Sequence, residues 1–168
     1  MAPKILLTGG SGFLGSALLN HPSFYGALTI GRTPPAQSEN FIAISLDPFS
    51  DYSHILSGID IVVHVAARVH VMNEEAEDSL SEYRNINTLG TLNLAEQATN
   101  SGVKRFIFIS SIKVLGEQTE KGQPFTNSNL LNPQDAYSMS KAEAETGLLK
   151  LAKKSNMEVV IIRPPLVY

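Results

Sequence analysis

Short apolar runs bounded by glycine, proline and polar residues recur along the chain, with longer segments of helical spacing between them. Strand patterns fall at Lys4–Thr8, Ala27–Gly31, Phe41–Ser45, Ile59–Val65, Val103–Ser110 and Glu158–Arg163. Ile61-Val62-Val63 and Phe106-Ile107-Phe108-Ile109 are apolar at every position, as strands covered on both faces require. Helical patterns fit Gly12–Asn20, Asp51–Ser57, Ser79–Ser101 and Ala136–Ser155. In the first, Leu14, Ala17, Leu18 and Leu19 keep helical spacing. In the third, Leu89, Leu92, Leu94, Ala95 and Ala98 do so, and Gly102 stops the helix. Strands alternating with helices predict an α/β domain, a doubly wound parallel sheet of six or seven strands with helices on both faces. The pattern contains no internal repeat, low-complexity segment or domain linker. Its longest irregular stretch, Leu115 to Asp135, carries Gly116, Gly122, Pro124 and Pro133 and has the length of a functional connection.

Composition narrows the classes without choosing among them. A chain of 168 residues forms one domain with a real core. Hydrophobic residues at 43% and charged residues at 17% describe an ordinary water-soluble domain. A net charge of −3 offers no general attraction to nucleic acid or to an anionic membrane, so an anionic ligand must be held by local geometry. Cysteine is absent, which removes disulfides and thiolate metal sites, and His21, His54 and His70 lack the paired spacing of a metal site. No apolar run reaches the length of a membrane span, and Met1-Ala2-Pro3-Lys4 lacks the form of a signal peptide. A cytoplasmic protein is therefore expected.

Chemistry concentrates where predicted strands end. Thr8-Gly9-Gly10-Ser11-Gly12-Phe13-Leu14-Gly15 joins the first strand to the first helix, the context of a dinucleotide-phosphate loop. Gly9 can make the tight turn, Gly12 admits a pyrophosphate close to the backbone, and Gly15 lets helix and sheet approach. The second strand ends in Gly31-Arg32 rather than in the acid that binds a ribose 2′-hydroxyl. A guanidinium suits a 2′-phosphate, so NADP is favoured over NAD, unless Arg32 is simply a solvated loop residue. Asp47 either accepts a hydrogen bond from adenine or serves as a turn residue before Pro48. The fourth strand ends in His64-Val65-Ala66-Ala67-Arg68, where Ala66 and Ala67 let a flat cofactor lie on the backbone and His64 is read as packed beside the strand. Glu74, Glu75, Glu77 and Asp78 read as a solvated run leading into a helix. In the last helix Tyr137 and Lys141 stand four apart, so an ammonium lies near a phenol and lowers its pKa into a useful range. A serine at the fifth strand end, Ser110-Ser111, could hold the reacting oxygen.

With these pieces in place the whole chain resembles the extended short-chain dehydrogenase/reductases that modify nucleotide sugars, the epimerase–dehydratase group with its NAD(P)-binding Rossmann domain. The pattern Thr-Gly-x-x-Gly-x-x-Gly is matched at Thr8, Gly9, Gly12 and Gly15, and His-x-Ala-Ala at His64 to Ala67. Asn-x-x-Gly-Thr is matched at Asn87, Gly90 and Thr91, and Arg-Pro-x-x-Val-Tyr at Arg163 to Tyr168. The resemblance implies catalysis by Ser111, five residues before Gly116, with Tyr137 and Lys141. It implies cofactor contacts from Gly9, Gly12, Phe13, Leu14, Gly15, Arg32, Asp47, Ala66, Ala67, Asn87, Tyr137 and Lys141. Three departures qualify it. Ile112 and Lys113 stand where 4,6-dehydratases of the group carry an Asp-Glu pair, which argues against elimination of water. Leu115 replaces the usual tyrosine before the loop glycine. The substrate-binding part of such proteins lies beyond this point, so residues 1–168 are expected to be the cofactor domain of a longer protein, binding cofactor without turnover.

The function expected is an NAD(P)-dependent nucleotide-sugar epimerase, similar to UDP-sugar 4-epimerases, acting by transient oxidation at a sugar carbon of a nucleoside-diphosphate sugar. Ala66-Ala67-Arg68-Val69-His70-Val71-Met72-Asn73 and Ser110 to Val114 most resemble a bacterial subgroup linked to surface-polysaccharide synthesis. Within that subgroup an NADPH-dependent 4-keto-sugar nucleotide reductase would use the same residues. A non-catalytic NAD(P)-sensing module is the alternative of another class. Related enzymes are commonly dimers, and a homodimer is expected.

Overall fold

The computed structural model describes residues 2–69 and 79–165. Six strands, β1 (Ile5–Thr8), β2 (Leu28–Gly31), β3 (Phe41–Ala43), β4 (Ile61–His64), β5 (Arg105–Ile109) and β6 (Glu158–Ile162), pair in the order β3-β2-β1-β4-β5-β6. Every pairing is parallel. The register sets Thr8, His64 and Phe108 side by side across β1, β4 and β5. The strand order reverses between β1 and β4, and open sheets of this kind bind ligands beyond the carboxyl ends of the strands at such a switch point.

Helices cover both faces, as the alternation predicts. On one face α1 (Phe13–Leu19) lays Leu18 and Leu19 on Leu7 and Val63. Ala17 points outward. On the other face α2 (Ser53–Leu56), α4 (Thr91–Asn100) and α5 (Ala136–Ala152) bury Leu56, Leu94, Ala98, Ala144 and Leu148 against Leu6, Val62, Phe106 and Phe108. Gly147 lets α5 meet α4, since a Cβ there would stand 2.6 Å from Leu92.

The helix expected over Ser79–Ser101 is not uniform. It opens as α3 (Ser79–Tyr83), widens to π geometry over Arg84–Gly90 and resumes as α4. The wide turn rotates Leu89 outward, 49% exposed, and brings Asn87 and Thr88 inside. Gly90 then faces the Leu46 carbonyl, 3.0 Å from a would-be Cβ. Asp135 caps α5 in a capping box with Ser138: its Oδ1 accepts from the Ser138 N–H at 2.6 Å, and Ser138 Oγ lies 3.1 Å from the Asp135 N. A 3₁₀ turn at Ile112–Leu115, which the apolar pattern does not announce, follows β5. The acidic run Glu74–Asp78, His70 and the Leu166–Tyr168 end of the Arg-Pro motif lie outside the described residues.

Candidate active site

The glycine loop folds as its spacing requires. Gly9 has φ +74°, and a Cβ on it would stand 2.6 Å from the Ala66 N. A Cβ on Gly15 would come within 2.1 Å of the Gly9 carbonyl oxygen. Gly12, by contrast, caps α1 with φ −81°, and the nearest atom to a Cβ there is the Gly9 oxygen at 3.4 Å. Its open side faces away from protein, and α1 has no side-chain cap, so the N–H groups of the first turn remain for an anion. This cradle fits a dinucleotide pyrophosphate. Phe13 is 67% exposed beside it and Leu14 is half-buried.

Behind the loop a polar row crosses the sheet. His64 is 2% exposed, with Nδ1 2.8 Å from Thr8 Oγ1 and Nε2 2.9 Å from Thr91 Oγ1. Thr8 Oγ1 also accepts the Ala66 N–H at 3.1 Å. Burial, with the Lys141 charge adding to it, pushes the imidazole down to about 3, so it stays neutral and joins β1, β4 and α4. Its ring stacks on Phe108 at 5.8 Å. The reading of His64 as packed rather than reactive agrees with these contacts.

Lys141 continues the row on α5. It is 1% exposed, and its Nζ stands 4.0 Å above the Phe108 ring centroid. Burial brings it down to about 7, opposed by the Glu145 carboxylate one turn on. Glu145 is fully buried and paired to Arg163, which donates from Nε at 3.0 Å and from the guanidinium end at 2.6 Å.

Tyr137, half-buried one turn before Lys141, meets Tyr83 edge-on at 6.2 Å between ring centroids. Here the structure corrects the expected electrostatics. Burial raises the phenol's pKa, and the Asp135 and Tyr83 charges raise it further. The spacing puts Lys141 on the correct face, but its ammonium is drawn onto Phe108 instead of settling against the phenol.

Ser111 caps the 3₁₀ turn, accepting from the Lys113 N–H at 3.3 Å. Ile112, Val114 and Leu115 of that turn pack on Ala142 of α5, which brings Ser111's turn against the helix of Tyr137 and Lys141. Neighbouring Ser110 is 3% exposed, and its hydroxyl has no partner among the described residues.

Other expected contacts are placed as follows. Ala66 and Ala67 are half-buried on the segment leaving β4, directly across from Gly9. Asn87 is 1% exposed; it takes the Arg68 N–H at 2.8 Å and donates to the Arg68 carbonyl at 3.1 Å and Ser140 Oγ at 3.0 Å. Its amide is spent on holding that segment to α5. Asp47 makes turn contacts: Oδ1 accepts from the Phe49 and Ser50 N–H groups, each at 2.8 Å, and the Phe49 bond leads in lowering its pKa. Arg32 is exposed on the loop after β2, without an ion-pair partner among the described residues. Pro35 of that loop is buried and closes onto Gly10, 3.1 Å from a would-be Cβ.

The profile described as the NAD dependent epimerase/dehydratase family matches residues 5–168. The chain belongs to this family. It is 47% identical over its whole length to a UDP-glucose 4-epimerase of Vibrio cholerae, of which the match covers 53%. It is 29% identical to a dTDP-D-glucose 4,6-dehydratase of Mus musculus, over 99% of this chain and 51% of that one. Among solved structures, a short-chain dehydrogenase/reductase superfamily protein of Agrobacterium tumefaciens with bound NAD superposes with a TM-score of 0.82. It is 27% identical, over 95% of this chain and 48% of that one. A UDP-glucuronic acid 4-epimerase of Bacillus cereus in complex with NAD gives 0.81 at 26% identity, over 98% of this chain and 57% of that one. The chain thus spans about half the length of the curated relatives it matches.

For this family member, motif spacing found the loop and the Tyr137–Lys141 pair but missed four groups that shape the site. Tyr83 has no local signal. The Glu145–Arg163 pair joins residues 18 apart in sequence. The expected helix start at Ala136 makes Asp135 its N-cap, and Lys113 stands at a replaced dehydratase position, but no spacing pairs the two, which are 22 residues apart. Among the described residues no helix is long and apolar enough to cross a membrane, and no three His, Asp or Glu gather as a metal set.

Proposed function

We propose that this chain is the dinucleotide-binding half of a nucleotide-sugar 4-epimerase acting on a UDP-sugar. The observation that carries the reading is the position of Tyr137 and Lys141 on α5, with Lys141 over Phe108 of β5, beside β4, whose exit segment meets Gly9 of the glycine cradle. The 47% identity to a UDP-glucose 4-epimerase supports it. Reversible hydride transfer is the chemistry a bound nicotinamide dinucleotide would supply. Gly9, Gly12 and Gly15 would hold its pyrophosphate, and Ala66 and Ala67 would leave room for its flat part. Tyr137 takes the proton of the sugar hydroxyl and gives it back. Lys141 adds positive charge that favours the phenolate and reaches the ribose, which would draw its ammonium off Phe108. Ser111 orients the sugar oxygen.

A second reading rests on Arg32. Exposed and unpaired among the described residues, its guanidinium suits a 2′-phosphate and so an NADPH-dependent 4-keto-sugar reductase. Action as a homodimer in the cytoplasm belongs to the same proposal and rests on the family resemblance. The deciding experiment extends the chain to the length of its relatives and incubates it with a panel of UDP-sugars and, with added NADPH, of their 4-keto forms, following sugar interconversion and reduced-nicotinamide absorbance. An epimerase interconverts sugars without added cofactor, whereas stoichiometric loss of that absorbance identifies the reductase. Tyr137→Phe should cost about a hundredfold or more in rate. Full activity in that variant would leave the non-catalytic sensing reading standing. The 168-residue chain alone should bind dinucleotide without turnover.

A further inference from the structure

Between Ser111 and Tyr137 stands an ion pair that the proposed chemistry does not use. Lys113 Nζ, from the turn that Ser111 caps, donates to Asp135 Oδ2 at 2.9 Å. The other oxygen, Oδ1, caps α5 through the Ser138 N–H. Asp135 therefore divides its carboxylate between the helix start and a cation on the neighbouring element. Tyr137 follows two residues later in the first turn of that helix.

We infer that Lys113 is a positioning residue: its ammonium ties the Ser111 turn to the cap of the Tyr137 helix and neutralises the capping carboxylate two residues before Tyr137. The inference rests on the reading of Tyr137 as the proton-exchanging group, because only then does balancing Asp135 affect the reaction. An unbalanced carboxylate beside a phenol disfavours phenolate, and Asp135 already acts on Tyr137 in that direction. Burial pushes the Asp135 carboxyl up, but hydrogen bonds from Ser138 and Lys113 outweigh it and hold the carboxyl below its ordinary value. The pair thus stays ionised at neutral pH. Other charges around Tyr137 are already engaged. On the α3 side Glu82 is paired with Arg68, and in the π segment Arg84 is paired with Glu143 of α5. Tyr83 faces the ring edge-on, and Lys141 lies over Phe108. Among the described residues Lys113 is the cation that offsets Asp135. Both partners are part-exposed, so the coupling is that of a screened pair, about two- to fivefold in an ionisation constant.

The test needs neither cofactor nor substrate. The 168-residue chain is labelled with 3-fluorotyrosine, whose phenol ionises at lower pH than tyrosine. Of its five tyrosines, Tyr137 is assigned by the ¹⁹F resonance lost in Tyr137→Phe. Lys113→Gln should weaken ionisation of Tyr137 measurably, by no more than the roughly fivefold of the exposed pair itself, Lys113→Arg should restore it, and Asp135→Asn, which still caps the helix, should strengthen it. A Tyr137 titration unmoved in Lys113→Gln, or moved in the same direction by Lys113→Gln and Asp135→Asn, overturns the inference. In the extended protein the acid limb of the pH–rate profile should move to higher pH in Lys113→Gln. If the resonance shifts while that limb stays, the coupling stands and the role given to Tyr137 falls.

Discussion

Gly12 and Gly15 lie three residues apart in one motif yet are glycines for different reasons. Gly15 has no room: a methyl group would press within 2.1 Å of the Gly9 carbonyl oxygen, which is backbone and cannot swing aside. Gly15→Ala should therefore lower folding stability by about 2 kcal/mol or more in urea denaturation. Gly12 has room and an ordinary φ, so Gly12→Ala should stay within about 0.5 kcal/mol of the parent. Its methyl group would instead fill the space of the pyrophosphate, and calorimetric titration should show dinucleotide affinity falling at least about tenfold. His64 supplies a second prediction at this scale. Its folded pKa of about 3 lies below the 6.5 of an exposed imidazole, so the unfolded chain binds the extra proton between those values. The stability it contributes is complete above about pH 6.5 and is lost as pH falls toward 3. The slope approaches about 1.4 kcal/mol per pH unit. Subtracting the stability–pH curve of His64→Asn from that of the parent should isolate this slope. The network was not legible beforehand, because Thr8 and His64 are distant in sequence and meet through strand register, and Thr91 reaches them from α4.

Among the elements, the strands were the most legible. A covered parallel strand must be apolar at consecutive positions, and Val62-Val63 and Phe106 to Phe108 obey that rule from either face. The helix around Asn87 was not. Apolar periodicity assumes 3.6 residues per turn, and a π segment inserts extra chain without changing composition. Leu89 keeps the spacing of the apolar residues that follow it and yet lies outside. What holds the wide turn open is the amide of Asn87, with three bonds to Arg68 and Ser140. Removing it leaves buried backbone groups of Arg68 unpaired, so Asn87→Ala should cost about 2–3 kcal/mol in denaturation. Amide exchange at Arg68 should accelerate more than at the core of β5.

At the scale of the molecule, the expected residues gather at one edge of the sheet because every strand points the same way. A hollow lined by Lys4, Tyr25, Leu28, Ile55 and Ile59 opens at the opposite edge, where the strands begin, so concavity alone would misplace the site. Sequence could say which strand ends carry chemistry. It could not say that Lys141 is buried, because an exposed and a buried lysine look alike until α5 is laid over Phe108.

Glu145 and Arg163 also bear on how the chain is made. A carboxylate with no exposure stands in α5, and its partner is not on that helix but at the far end of β6, among the last described residues. During synthesis α5 emerges first, and it cannot settle on the sheet with a charged, unpaired Glu145. Docking of the helix is thereby coupled to the arrival of β6 and the residue that follows it, and the two should close onto β5 together. Arg163→Met should accordingly lose about 3–5 kcal/mol at equilibrium, and nascent chains halted before residue 163 should remain open to protease along α5. One buried carboxyl group thus ties the docking of a helix to the strand that follows it in the chain.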